Sequence, residues 1–156
     1  MTGSTGDAQD PVEDPLALER QVCFALAVAS RSVIALYRPV LEPMGLTHPQ
    51  YLVMLALWER SPRSLRELAT VLHLDPGTLS PLVKRLEKAG LVVRERDTRD
   101  ERNLALTLTD DGRALRTRAE QVPPAIVERL GVSRADLEHA RGVLGALITA
   151  ADRAGD

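Results

Sequence analysis

The stretch from Ser64 to Arg102 is punctuated so densely that it admits very few folds. Ser64-Leu65-Arg66-Glu67 is a capping box, in which the serine hydroxyl and the glutamate carboxylate satisfy N–H groups that have no partner at a helix start. Asp75-Pro76 opens a second helix, with Asp75 as N-cap and Pro76 at the first helical position, where a missing N–H costs nothing. Gly90 stops that helix as its C-terminal glycine. Leu91 to Arg96 and Leu104 to Leu108 then read as two strands around Asp97-Thr98-Arg99-Asp100-Glu101-Arg102-Asn103. Two short helices about a tight turn, followed by a hairpin with arginines at its tip, form the layout of a winged helix-turn-helix.

In such a layout the second helix can enter a DNA major groove while the hairpin reaches an adjacent groove. A formal charge of −2 over the chain would count against that reading if it were evenly spread. It is not. Arg63 to Arg102 holds nine Lys/Arg against seven Asp/Glu, and the remainder holds eleven against fifteen. Several acids of the basic window lie near the hairpin tip, beside arginines they can orient. Aromatic residues make up only 3%, which argues against a base-stacking platform for single strands and leaves double-stranded DNA as the expected partner.

At 156 residues, with 44% hydrophobic and 27% charged residues, the chain has the size and balance of one soluble globular domain. No stretch approaches ~18 uninterrupted apolar residues, so no membrane span is expected. Met1 to Asp14 is polar and acidic, without the basic and apolar regions of a signal peptide, and reads as a disordered lead-in. A single cysteine allows no disulfide framework, and a cytosolic, cytoplasmic setting is the default. Pro15 to Leu41 reads as one long helix whose apolar residues cover more of its circumference than a single core-facing stripe needs. Pro43 and Gly45 break it. Thr47-His48-Pro49-Gln50 is a second capping box, opening a helix that Ser61-Pro62 ends. Thr109 caps a helix from Asp110 to about Gln121, Pro123-Pro124 interrupts it, a short turn leads to Gly131, and Ser133 caps a last helix to about Ala151.

The expected architecture is therefore mainly α, one integrated domain. Residues 47–109 form the winged helix-turn-helix with its small β-hairpin wing, and 15–46 and 110–156 are dimerisation helices. A two-fold homodimer would place two reading heads on one face of the duplex and read a pseudo-palindromic operator, with half-sites ~34–36 Å apart.

The segment from Asp75 to Glu87, together with Asp97-x-Arg99-Asp100-Glu101-Arg102, resembles the MarR family of bacterial transcriptional regulators. Leu18-Glu19-Arg20-Gln21-Val22-Cys23-Phe24-Ala25-Leu26, Leu36-Tyr37-Arg38-Pro39 and Leu46-Thr47-His48-Pro49-Gln50-Tyr51-Leu52 narrow the likeness to its organic hydroperoxide sensor (OhrR) branch. The resemblance covers about Leu16 to Leu115. It implies that Thr78 and Ser80 lie near base edges and phosphates at the start of the recognition helix, and that Lys84 and Arg85 face groove and backbone. It also implies that Arg102 of the wing enters the minor groove, held by Asp100, with Arg99 alongside as a further DNA contact. Short hydroxyl side chains at a helix N-terminus and a guanidinium in a narrow, negative groove suit those roles. The plain alternative is that Lys84, Arg85 and Lys88 are a solvated helix face.

Cys23 carries the other expectation. A lone cysteine on an apolar helix is most often a small buried hydrophobe, whereas the resemblance makes it a redox sensor approached by tyrosine hydroxyls of a partner subunit. Tyr37 matches one of these. It lies fourteen residues from Cys23, about 21 Å along a helix, so the two can meet only between subunits. The chain departs from the branch at two places. His48 stands where a second partner tyrosine is usual, and Ala27 stands where a tyrosine often follows Phe-Ala-Leu. An imidazole at a helix start can donate to a thiolate and, if protonated, favour it more than a phenol could; otherwise His48 is an exposed helix-end residue. His73 and His139 have no ligand partner at metal spacing, so no metal and no cofactor are expected. With no second cysteine, oxidation of Cys23 leads to a mixed disulfide with a small thiol, a cyclic sulfenamide or over-oxidation. The function expected is a repressor that binds its operator when reduced and leaves when an organic hydroperoxide, as oxidant, reacts with Cys23. Two alternatives stay open: a MarR-type repressor answering a small organic ligand with Cys23 inert, and a thiol peroxidase.

Overall fold

The computed structural model describes residues 14–100 and 102–155. The proposed lead-in, apart from Asp14, lies outside them, as does Glu101 of the wing motif. The chain divides into two compact units, Met1–Ala35 and Leu36–Asp156.

The first unit holds a short 3-10 turn, Leu18–Arg20, and the N-terminal part of helix α1, Val22–Leu41. The long helix expected from Pro15 therefore starts at Val22, because Gln21 is extended and closes the 3-10 turn instead of continuing a helix. Val22, Phe24, Leu26, Val28 and Ile34 are all exposed, and Leu41 is the one buried residue of α1. Val22–Met44, mean hydropathy 1.4, is long and apolar enough to cross a membrane by length and composition. Counting only uninterrupted apolar residues missed this, since Arg31 and Arg38 break the run. Each of those arginines would cost about 2.5–3.5 kcal/mol near a bilayer centre. An apolar helix with charges at intervals is equally what a partner helix covers.

In the second unit Gly45, at φ 70°, turns the chain after α1. Helix α2, His48–Glu59, opens on the Thr47–Gln50 capping box. Strand β1, Arg63–Ser64, leads into α3, Leu65–Leu72, whose capping box is formed by Ser64 and Glu67. Helix α4, Pro76–Lys88, is capped by Asp75 and stopped by Gly90 at φ 75°. Strands β2, Val92–Arg96, and β3, Leu104–Leu108, form the hairpin. The sheet has three antiparallel strands in the order β1-β3-β2, with Arg63 opposite Leu106 and Arg94 opposite Leu106 on the other side. The hairpin is thus stitched to the segment that starts α3.

Helices α5, Asp110–Ala119, α6, Val122–Leu130, and α7, Arg134–Gly155, complete the chain. The expected interruption at Pro123-Pro124 is instead the start of α6, because prolines in a first helical turn lose no intrahelical bond. Met54, Leu57, Leu68, Leu79, Leu86 and Leu106 lie at the centre of one core joining α2, α3, α4 and the sheet. No residue of α7 is buried, and Val143, Leu144, Leu147 and Ile148 stand exposed along it.

Candidate nucleic-acid interface and redox site

The reading head is set by its turn. His73 ends α3 in the left-handed conformation, φ 52°, and Leu74 N–H donates back to Ala69 O. Asp75 then accepts from the Thr78 N–H and the Thr78 hydroxyl, both at 2.9 Å, and these bonds hold its carboxyl below the usual carboxylate range. Leu79, Leu82, Val83 and Leu86 turn inward, which leaves Thr78, Lys84 and Arg85 exposed and Ser80 half-buried on the outer side of α4. Among the described residues, Lys84 and Arg85 make no ion pair. The Thr78 hydroxyl, expected at DNA, is already donating to the cap and has only its lone pairs left to offer.

The wing is joined to the head at two places. Arg94 of β2 pairs with Glu87 of α4 at 3.0 Å. Arg99 donates four hydrogen bonds to two carboxylates: Nε and Nη2 to Asp97, Nη1 and Nη2 to Glu67. Its guanidinium thus bridges wing and head while its side chain stays 53% exposed, and the sequence groups it with the expected DNA contacts. The hydrogen bonds from Arg99 hold the Asp97 carboxyl below the usual carboxylate range, and those from Ser64 and Arg99 hold the Glu67 carboxyl at about 2, which keeps the cluster charged. At the tip, Asp100 accepts from the Arg102 backbone N–H and from Asn103 Nδ2, while the Arg102 Nε stands 3.6 Å from Asp100 Oδ1. Arg102 is the wing's outstretched cation, its side chain 93% exposed.

Cys23 is exposed and sits in the first turn of α1, where backbone N–H groups lack intrahelical acceptors. A helix running from Pro15, as the sequence suggests, would put it in the helix interior instead. In the second unit Tyr37 and His48 meet edge to face, ring centroids 4.9 Å apart, and buried Tyr51 lies 6.0 Å from Tyr37. Burial lowers the His48 pKa and raises that of Tyr51. The lowering disfavours the protonated imidazole that the sequence offers as one form of His48. His73 Nδ1 lies 3.9 Å from Asp152 Oδ1, a carboxylate whose approach sequence spacing could not show. No cluster of three metal-ligating side chains occurs among the described residues.

Residues 46–104 match the model of the MarR family. The organic hydroperoxide resistance transcriptional regulator of Bacillus subtilis is 39% identical over 136 residues, 87% of this chain and 90% of the relative. The chain belongs to the MarR family. Reduced AbfR bound to DNA, a MarR-like structure, superposes with a TM-score of 0.76 at 35% identity, covering 89% of this chain and 95% of that one. CouR from Rhodococcus jostii bound to p-coumaroyl-CoA gives 0.73 at 30% identity, covering 85% and 94%. The protein is thus a MarR-family DNA-binding transcriptional regulator with the winged helix fold. Its family consists of regulators, not enzymes, which removes the thiol peroxidase alternative.

Two members of the MarR head escaped the sequence reading. Glu67 was legible as a cap, but its pairing with Arg99 spans 32 residues and leaves no local signal. Tyr51 sits in the motif that carried the resemblance, yet its place beside Tyr37 follows only from the packing of α2 against the end of α1.

Proposed function

We propose that this protein is a one-cysteine peroxide sensor, a repressor that holds a pseudo-palindromic operator as a reduced homodimer and releases it when an organic hydroperoxide oxidises Cys23. The observation that carries this reading is the chain's one cysteine, exposed in the first turn of α1. The name of the Bacillus relative supports the same chemistry. The Cys23 thiolate attacks the terminal hydroperoxide oxygen. An S–O bond forms as the O–O bond breaks, sulfur is oxidised to the sulfenic acid, and the alkoxide departs as an alcohol after taking a proton.

The exposed apolar residues of α1 and α7 support dimerisation, each copy covering the other's helices. Within that dimer Tyr37 and His48 of one copy are the proposed donors to Cys23 of the other. Thr78, Ser80, Lys84, Arg85 and Arg102 are the proposed DNA contacts, with Asp100 orienting Arg102.

A second reading has its own support. An open cleft of about 300 Å³ is walled by Tyr51, Leu55, Trp58, Arg116, Ala119 and Pro123, and CouR has been seen with an organic ligand bound. The deciding experiment is an operator gel shift on reduced, cumene-hydroperoxide-treated and thiol-recovered protein, beside Cys23→Ser. The sensor reading expects release and recovery for wild type, and a serine variant that stays bound. Release of the serine variant by peroxide refutes it and favours the ligand-responsive reading.

A further inference from the structure

We infer that Arg99 is a positioning residue: latched to Glu67 of α3 and Asp97 of the wing, it sets the angle at which the wing presents Arg102 to DNA. The inference rests on the reading that Arg102 meets the duplex, and it assigns Arg99 and Glu67 a role no comparison gives them.

The wing loop leaves the sheet at Asp97 and returns at Asn103, closed by two backbone bonds, Asp97 N–H to Asn103 O and Asn103 N–H to Asp100 O. Among the described residues, the other bonds of Asp100 also stay within the loop. A tip held this way would swing about its root. Arg99 supplies the missing constraint. Its Nη1 and Nη2 donate to Glu67 Oε1 and Oε2 at 3.4 and 3.2 Å, a two-point grip that fixes orientation as well as distance. Glu67 is itself immobile: Oε2 accepts the Ser64 N–H at 2.7 Å in the capping box, and Oε1 accepts Arg60 Nη2 at 2.9 Å. On the wing side, buried Asp97 holds the same guanidinium through Nε and Nη2. Arg102 follows three residues later. A groove contact tolerates displacement of about 0.5 Å before it degrades, so a latch this close to the tip governs whether the contact forms. Four of the five guanidinium N–H donors are committed to these two carboxylates, and one N–H of Nη1 is left for any other partner.

The two roles for Arg99 give opposite signs when Glu67 is neutralised. Glu67→Gln keeps the cap, since Gln50 serves in the equivalent box of α2 through its Oε1, but it removes the anion that grips Arg99. If Arg99 touched DNA, E67Q would free it, remove a negative charge from the head and tighten binding or leave it unchanged. If Arg99 positions the wing, E67Q weakens binding although Glu67 touches no DNA.

The test uses reduced full-length protein and a duplex selected by wild-type binding, so that peroxide chemistry does not enter. Dissociation constants are measured over a salt series for wild type, E67Q, R99Q, R99K, R102A and the double variants with R102A. The expectation is that E67Q, R99Q and R99K each weaken binding roughly fivefold or more and lower the salt slope by about one, as R102A does. Lysine fails because it keeps the charge and loses the fork. In the R102A background the same changes should alter affinity less than about twofold, the signature of residues acting through one another. An unchanged or tighter E67Q, or an R99Q whose full effect survives in R102A, overturns the latch while leaving the groove reading intact. An R102A that binds like wild type overturns the groove reading and the latch with it.

Discussion

Gly112 occupies the point where α5 passes closest to the root of the wing, and Gly112→Ala is the substitution whose effect can be worked most directly from the structure. A β-carbon there would lie 2.1 Å from the backbone oxygen of Leu91, against a practical minimum of 3.0 Å for such contacts. The obstacle is backbone, so no rotamer change relieves it. Helix and chain would have to part by about 0.9 Å at this point, which pulls apart the bonds that join them: Thr109 N–H to Leu91 O at 3.1 Å, and Thr109 Oγ1 to Gly90 O at 2.6 Å. Losing both at roughly 0.5–1.5 kcal/mol each, with overpacking strain of about 1–3 kcal/mol, outweighs alanine's gain of up to ~1 kcal/mol in helix propensity. The net expectation is a loss of about 2–4 kcal/mol. At ~2–4 °C per kcal/mol for a chain of this size, the thermal midpoint should fall by roughly 5–15 °C. The assay is urea and thermal unfolding of wild type and variant at one fixed concentration, because a dimer's midpoint shifts with concentration. A change below about 0.5 kcal/mol would refute the argument, meaning that the close approach of α5 to Leu91 is not a feature of the protein in solution.

Arg102→Ala should weaken operator binding by about 1–3 kcal/mol at fixed salt with an unchanged unfolding midpoint, since the side chain lies almost wholly in solvent; equal gel-shift affinities would dismiss the wing contact. For the redox site, His48→Ala should slow sulfenate trapping at Cys23, while His48→Tyr should match wild type from pH 7 to 9, because burial lowers the imidazole pKa and both side chains are neutral there. Equal trapping rates for wild type and His48→Ala would leave His48 without a part in sensing. The same burial has a stability consequence of defined sign. The unfolded chain binds the His48 proton first, so that histidine's contribution is complete above about pH 6.5 and is lost as pH falls through the lowered native value. Unfolding midpoints of wild type and His48→Ala that run parallel from pH 8 to 5 would contradict it.

The elements legible in the sequence were those whose signals are local. The caps at Thr47, Ser64, Asp75 and Thr109 and the glycine stop after α4 all involve residues within a few positions of one another, and each appears where the residues placed it. Local signals also misled. Pro123-Pro124 reads as a break until it is placed in a first turn, where it is a start. The helicity of Pro15 to Gln21 looked continuous with α1, yet the 3-10 turn ends in an extended residue and moves Cys23 from mid-helix to helix start. Strand β1 has two residues, too few for any alternation, and exists only because β3 pairs with it. The latch of Arg99 on Glu67 was illegible for the same reason: its two ends meet only once the sheet has carried the wing back to α3.

The two attachments of the wing differ in which helix they reach, and this bears on how such a regulator could acquire a new operator. The ion pair of Arg94 with Glu87 runs to α4, while that of Arg99 with Glu67 runs to α3 and bypasses α4 altogether. On α4 the inward residues Leu79, Leu82, Val83 and Leu86 and the anchor Glu87 are committed to the protein's own architecture. Thr78, Lys84 and Arg85 are exposed on the side left free. Their identities can be exchanged with little effect on folding, since surface substitutions away from caps and core usually move stability by less than about 0.5 kcal/mol; Thr78 is the exception because its hydroxyl serves the cap. If these are the residues that read the major groove, as proposed, exchanging them leaves both attachments of the wing in place. Duplicated copies of this gene could diverge in address one side chain at a time while inheriting a working frame.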